Sequence, residues 1–316
     1  MSHDLNQRAF QIAQNVASRG ESLRIDVRSL SSGATVLDFG VHAEGGLQAG
    51  LELAQLCVSG LGDVALSAGS LDGSTWPLVQ FSSDHPVAAC LLSQYAGWQI
   101  SVGEYFAMGS GPMRSTAVVE ELFTKLDYRE TSSCIVGILE SAALPNEDVV
   151  QYVSDKSNAE MSDTVLCVAP TSSRAGTLQV VARSVETALH KLFEIGFDVA
   201  RVSSAWGIAP LPPPSGEDLT AIGRTNDAIL YGASVMLWVH GDDDTLAEIG
   251  PRVPACSSDC HGQPFLEVFE EAGRDFYKID PHLFSPAQIV FQNLDTGRVH
   301  RFGREEPDVL RKSFGL

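Results

Sequence analysis

Two hydrophobic rhythms take turns along this chain, and their interleaving limits the fold more than any other feature. Leu5, Ala9, Ile12, Ala13 and Val16 recur at three-and-four spacing, the mark of one helical face, with Ser2 or Asp4 available as a cap and Gly20 placed to end the helix. Leu23, Ile25 and Val27 then alternate with polar residues, and a second run over 34–39 follows Ser-Ser-Gly, which predicts a β-hairpin. The switching continues with a helix over 47–58, a strand near 64–67, an apolar run at 78–81 and a helix opening at His85-Pro86. Helices and strands that interleave predict an α/β fold of the α+β type. At 316 residues the chain exceeds the usual size of one core. The expectation is two mixed α/β domains, 1–158 and 159–316, divided near the polar stretch 158–162, with segments free to exchange between them.

Composition narrows the class. Hydrophobic residues make up 44% and charged residues 19%, as in a folded soluble protein. There is no run of eighteen apolar residues, and the opening Met1-Ser-His-Asp-Leu-Asn-Gln lacks the basic start and apolar stretch of a secretory signal, so no membrane association and a cytoplasmic location are expected. Forty acidic against twenty-one basic side chains give a formal charge of −19, which argues against a nucleic-acid partner. Cys57, Cys90, Cys134 and Cys167 stand in apolar surroundings, as small buried hydrophobes with reduced thiols do.

For chemistry, the stretch Leu178 to Phe193 stands out. Val181, Ala182, Val185, Ala188, Leu189, Leu192 and Phe193 share one helical face, while Arg183, Glu186 and His190 lie on the polar side toward water or a cleft. Spacing alone makes Arg183 and Glu186 a solvated ion pair. Burial in a cleft would turn the same pair into a carboxylate held ionised beside water. His190, one turn on, either orients that carboxylate or faces solvent. The strand 165–169 and the loop Pro170 to Gly176 lead into this helix and present its free amides.

Other segments carry weaker signals. The run 96–114 begins as a strand and ends in a glycine-rich loop, where Gly109, Gly111 and Pro112 allow backbone to approach a ligand. It is not a dinucleotide fingerprint, and neither a phosphate loop nor a G-x-S-x-G elbow occurs. Cys256, Cys260 and His261 have a zinc-like spacing but no second ligand pair, and Asp242 to Asp244 reads as a magnesium ligand or as an acidic turn, so no metal is assigned. Pro210 to Pro214 is a lid edge or a surface turn, and 223–232 and 275–286 are read as loops lining something.

Four of these segments in this order, 96–112, 169–173 with 183–198, 223–232 and 275–286, together resemble methenyltetrahydromethanopterin cyclohydrolase nearly end to end. The resemblance implies reversible hydrolysis of the methenyl bridge of a tetrahydromethanopterin-type carrier, or of its dephosphorylated form, to the N5-formyl derivative. No bound cofactor is implied, because the pterin is the substrate. It implies a ligand cleft between two α/β domains and a homo-oligomer, with the trimer favoured. Arg183 and Glu186 are similar to the family's catalytic pair, with Glu186 as general base and Arg183 as its partner. The cleft walls would then include Gly109, Ser110, Gly111 and Arg114, then Pro170, Thr171 and Ser172, then Arg224, Thr225, Asn226 and Asp227, and finally His282 and Ser285. The competing reading is a pterin-binding or carrier subunit that kept the fold without turnover.

Overall fold

A strand in which every side chain is buried has to be covered on both faces, and two strands of the first half come close to that demand. β7 (Ile135–Glu140) and β8 (Thr164–Ala169) are near-continuous apolar runs, the composition of parallel strands at the centre of a layered sheet. The computed structural model describes residues 3–275 and 278–316. Its chain forms two units, each discontinuous in sequence: Met1–Gly62 with Ala88–Gln179, and Asp63–Val87 with Val180–Leu316.

In the first unit, α1 (Leu5–Ser18) and a short α2 (Gly20–Leu23) precede the hairpin of β1 (Asp26–Ser29) and β2 (Thr35–Asp38), and α3 (Leu47–Cys57) follows. Gly20 opens α2, and Arg19 is the residue that closes α1. In the second unit, β3 (Asp63–Leu71) and β4 (Ser74–Ser83) form a long hairpin. The helix expected from Pro86 is a π-helix, Val87–Gln94, and from Ala88 on it belongs to the first unit. Back in the first unit come β5 (Trp98–Val102), β6 (Tyr105–Ser110), α4 (Met113–Ala117), α5 (Glu121–Lys125), β7, α6 (Glu147–Ser157) and β8. Its sheet runs β1-β2-β8-β7-β6-β5, with β2, β8 and β7 parallel. Alternation sends Leu37, Val136, Ile138 and Cys167 to one face with Ala9, Ala13, Leu53 and Leu56 of α1 and α3. It sends Val36, Ile135, Leu139, Leu166 and Val168 to the other face with Met113, Val149 and Val153 of α4 and α6. This is a helix–sheet–helix sandwich.

The chain leaves that unit within α7 (Arg174–Val181). The second unit adds α8 (Ser184–Glu194), β9 (Val202–Pro210), α9 (Asp218–Leu230), β10 (Ser234–Val239), α10 (Asp243–Ile249), α11 (Phe265–Glu271), β11 (Gln288–Asn293), β12 (Val299–Gly303) and α12 (Pro307–Phe314). Its sheet is β12-β11-β10-β9-β4-β3, parallel only between β10 and β11. α8 lies against β9 and β10, and α9 against α11 and α12.

Two mixed α/β units are therefore present, divided otherwise than at 158/159. The β3–β4 hairpin pairs with β9 through Leu78↔Pro210 to Ser83↔Ala205, which draws 63–87 into the second unit. β8 is hydrogen-bonded between β2 and β7, which keeps 159–179 in the first. Nor is 178–193 one helix: α7 ends at Val181, and α8 starts afresh at Ser184 with Arg183 as its N-cap residue, φ −89° and ψ 11°. The apolar spacing runs unbroken through the bend, and neither glycine nor proline marks it. The segment 223–232 is mostly helix α9 rather than loop. Among the described residues, no helix is long and apolar enough to cross a membrane.

Candidate functional site

The first turn of α8 is buried. Arg183 is 5% exposed and Glu186 4%, so the side of the helix expected to meet water or a cleft is buried. Glu186 occupies the first helical turn, where the free amides and the helix dipole favour a negative charge. β9 makes the close approach feasible through Gly207. A Cβ added there would stand 2.5 Å from Ser184 Oγ and 2.7 Å from Val185 Cγ2, so only glycine lets the turn bearing Glu186 come this near the sheet. His190, half-buried, lies 4.0 Å from Glu194, one turn further on.

At the other end of α8, Lys191 is 2% exposed and donates from Nζ to the His282 carbonyl at 2.7 Å. Burial lowers its ammonium to about 8. The turn it reaches is Asp280 to Ser285, where Asp280 accepts from the His282 amide at 3.0 Å and from Ser258 Oγ at 2.5 Å. His282 is exposed. Ser285 is fully buried, and its hydroxyl has no hydrogen-bond partner among the described residues. The remainder of the segment expected to line a ligand includes 276 and 277, which lie outside the described residues.

The α9 candidates have structural occupations. Arg224 donates to the carbonyls of Ser313 at 3.2 Å, Pro213 at 3.3 Å and Pro214 at 3.1 Å, which fastens the proline run to the helix. Thr225 Oγ1 and Asn226 Nδ2 bond back to Ala221 and Ile222, each at 2.9 Å. Asp227, 1% exposed, accepts from the Phe265 amide at 2.7 Å, and burial pushes its carboxyl up to about 7. Arg224, Asp227, Glu267 and Lys312 line a pocket of about 180 Å³ within this unit. The acidic turn at 242–244 is explained by its bonds: Asp242 caps α10 by accepting from Thr245 N at 2.7 Å, and Asp243 accepts from Asn293 and His300, each at 2.9 Å.

In the first unit, Gly109 and Ser110 belong to β6, and Arg114 to α4. Gly109 is a packing glycine. A Cβ there would meet Met113 Cε at 2.7 Å, and one at Gly137 would overlap Met113 Sδ, so the two glycines form the hole that Met113 fills. Gly111 takes φ +85° at the turn into α4, which is glycine's role there. Arg114 is fully buried. It is bidentate to Glu120, with Nε–Oε1 at 2.7 Å, donates to the carbonyls of Leu91 at 3.2 Å and Ser93 at 2.9 Å, and stands over the rings of Tyr95 and Phe123 at 5.0 and 5.1 Å. This is a structural clamp.

Pro170, Thr171 and Ser172 stand at the carboxyl end of β8, the end of a parallel strand where α/β sheets bind ligands. Ser173 folds the loop by donating to Pro170 O at 2.8 Å and accepting from Gly176 N at 3.0 Å, while Thr177 Oγ1 donates to Thr171 O at 2.8 Å. At the same edge Asp38, fully buried, accepts from the amides of Gly40, Val41, His42 and Ala43 at 2.7–3.1 Å. It orders the loop after β2. Sequence reasoning passed over Asp38, although an aspartate two residues before a glycine at a strand end is a recognisable turn former.

Comparison with known proteins adds to this geometry. The sequence model of the family described as "Cyclohydrolase (MCH)" matches residues 4–314. A Rhodopirellula baltica protein named methenyltetrahydromethanopterin cyclohydrolase is 49% identical over 300 residues, 92% of this chain and 90% of that protein. Proteins of the same name from Methanococcoides burtonii and Methanococcus maripaludis are 38% and 41% identical over 314 residues, covering 99% and 98% of this chain and 98% and 97% of theirs.

Proposed function

This chain belongs to the methenyltetrahydromethanopterin cyclohydrolase family, and from that premise we propose that it hydrolyses the methenyl bridge of a tetrahydromethanopterin-type carrier, phosphorylated or dephosphorylated, to the N5-formyl derivative. The substrate is a cationic amidinium. Water adds to the bridging carbon and gives up a proton to Glu186. The resulting carbinol collapses: its C–N bond breaks, the hydroxyl oxygen becomes the formyl carbonyl, and the leaving nitrogen takes a proton back. One water is consumed and one proton released per turnover. No electrons change hands, so the reaction calls for no redox cofactor.

The placement of Glu186 carries this reading. A general base for water has to be ionised yet kept from bulk solvent. Glu186 is 4% exposed, sits on the first turn of α8 and follows Arg183 by three positions. The helix N-terminus favours a negative charge at that position.

The test adds purified protein to the methenyl carrier and follows loss of the amidinium absorbance. Glu186→Gln is expected to bind the carrier and to turn over about 10²–10⁴-fold more slowly. A variant as active as the wild type removes Glu186 from the mechanism. Tight binding without turnover by the unaltered chain points instead to a carrier subunit.

A further inference from the structure

α8 carries Glu186 at its start and Lys191 near its end, and the second residue has no part in the chemistry above. Lys191 is 2% exposed, a position lysine rarely takes without a partner, because an ammonium loses its hydration there. Its partner is a backbone carbonyl, that of His282, at 2.7 Å, with Ser257 Oγ at 3.4 Å. The same turn is gripped from its other side. Asp280 Oδ1 accepts from the His282 amide at 3.0 Å, and Oδ2 from Ser258 Oγ at 2.5 Å. His282 is thus held at both its amide and its carbonyl. Two residues beyond Leu283, Ser285 keeps a buried hydroxyl without a hydrogen-bond partner among the described residues, an arrangement that calls for an explanation.

We propose that Lys191 is a positioning residue: its bond to the His282 carbonyl fixes the Asp280–Ser285 turn, and with it His282 and Ser285, in register with the first turn of α8 that bears Glu186. The inference deepens the cyclohydrolase reading, on which its kinetic part rests. One rigid helix connects the proposed base to the anchor of a candidate substrate turn, so the spacing between them is built into the chain. A charge-assisted bond to a carbonyl suits this use, since it is short, directional and stronger than a neutral one.

Lys191→Met keeps the length and bulk of the stem and removes the donor. The full-length variant is expected to show KM for the methenyl carrier raised about 10-fold, the scale of one hydrogen bond to a charged group, with kcat within about 3-fold. Amide hydrogen exchange should quicken at Leu283, Phe284 and Ser285 and stay unchanged within β9 and β10. An unchanged KM, or exchange at the turn as slow as in the wild type, overturns the proposal. Should Lys191→Met fail to fold, Ser258→Ala loosens the same turn through Asp280. A KM raised about 2- to 5-fold then upholds the proposal and an unmoved KM ends it. The two readings fail separately: an active Glu186→Gln removes the base assignment, whereas exchange at 283–285 reports on the anchor without reference to turnover.

Discussion

Arg114 and Arg183 are both buried arginines with a glutamate shortly after them, yet their surroundings differ. At Arg114 the surroundings are complete. Both oxygens of Glu120 are taken by the guanidinium, two carbonyls occupy NH1, and two aromatic rings cover the faces. At Arg183 the glutamate stands on the first turn of a long helix, pressed to the sheet at a glycine, in the stretch where the proposed base lies. Burial and pairing alone do not mark a reactive carboxylate. The backbone around the two glutamates differs: Glu186 stands on a helix N-terminus that stabilises charge, whereas Glu120 belongs to a closed ring of donors, carbonyls and aromatics.

The comparison breaks or holds first on a pair of substitutions. Arg114→Met leaves Glu120 and two carbonyls without their donor in a buried place, and a loss of about 3–5 kcal/mol in unfolding free energy is expected by denaturant titration. The kcat of the folded fraction should stay within about 3-fold. Glu186→Gln should reverse the pattern, with turnover lost and the denaturation midpoint little moved. If Arg114→Met is as stable as the wild type, or if it folds and turns over at a small fraction of the wild-type rate, the contrast between clamp and site is wrong.

The next largest effect separates the two ends of α8 by pH. Burial lowers Lys191 from its ordinary 10.5 to about 8, Asp280 favouring the charge and Arg252 opposing it. Between those values the unfolded chain binds a proton that the folded chain does not, so stability rises with pH across that window. The cost of the buried ammonium is fully present below about 8 and is relieved toward 10.5, on the order of 3 kcal/mol from the shift. Wild type should therefore gain stability relative to Lys191→Met as pH climbs from 8 to 10.5, read from paired denaturation curves. Parallel curves would mean that Lys191 is charged throughout.

How much of this was legible beforehand depended on whether the signal was local. β8 could be read because an apolar run buried on both faces leaves no alternation and ends at Pro170. α1 and β2 were equally plain, whereas the alternation Leu23, Ile25, Val27 misplaced the first hairpin strand, since Leu23 closes α2 and β1 begins at Asp26. The exchange of 63–87 into the second unit was hidden, since Leu78↔Pro210 pairing joins residues far apart in sequence. The bend before Arg183 was hidden because the apolar spacing crosses it. Arg224 to Asp227 looked like a loop because their polarity suggested one, but threonine and asparagine bonding to their own helix is compatible with α9. Gly109 looked like room for a ligand and is room for Met113. Arg183 and Glu186 were singled out by resemblance to a family, their spacing being that of any surface pair. Lys191 was invisible, as a lysine on an amphipathic helix is ordinarily read as reaching solvent.

The smallest expected effects test the same contrast through two glycines. At Gly207 an added methyl would sit 2.5 Å from Ser184 Oγ and 2.7 Å from Val185 Cγ2, so the first turn of α8 has to move away from β9. At Gly109 it would meet Met113 Cε at 2.7 Å and Ile100 Cδ1 at 3.0 Å, the far ends of flexible side chains, together with Trp98 O at 3.0 Å. Overpacking costs about 1–3 kcal/mol in either place. What differs is which group is displaced. Gly207→Ala moves the proposed base, and since a displacement near 1 Å costs roughly 100-fold in rate, a shift of a few tenths of an ångström should lower kcat by about 10-fold. Gly109→Ala shifts only the filling of a core and should leave kcat per folded molecule unchanged. Turnover measured beside the thermal midpoint of each variant decides the matter. Equal losses of kcat in both would place Gly109 nearer the chemistry than its packing against Met113 allows. An unaltered kcat in Gly207→Ala would show that the seat of α8 on β9 does not set the position of Glu186.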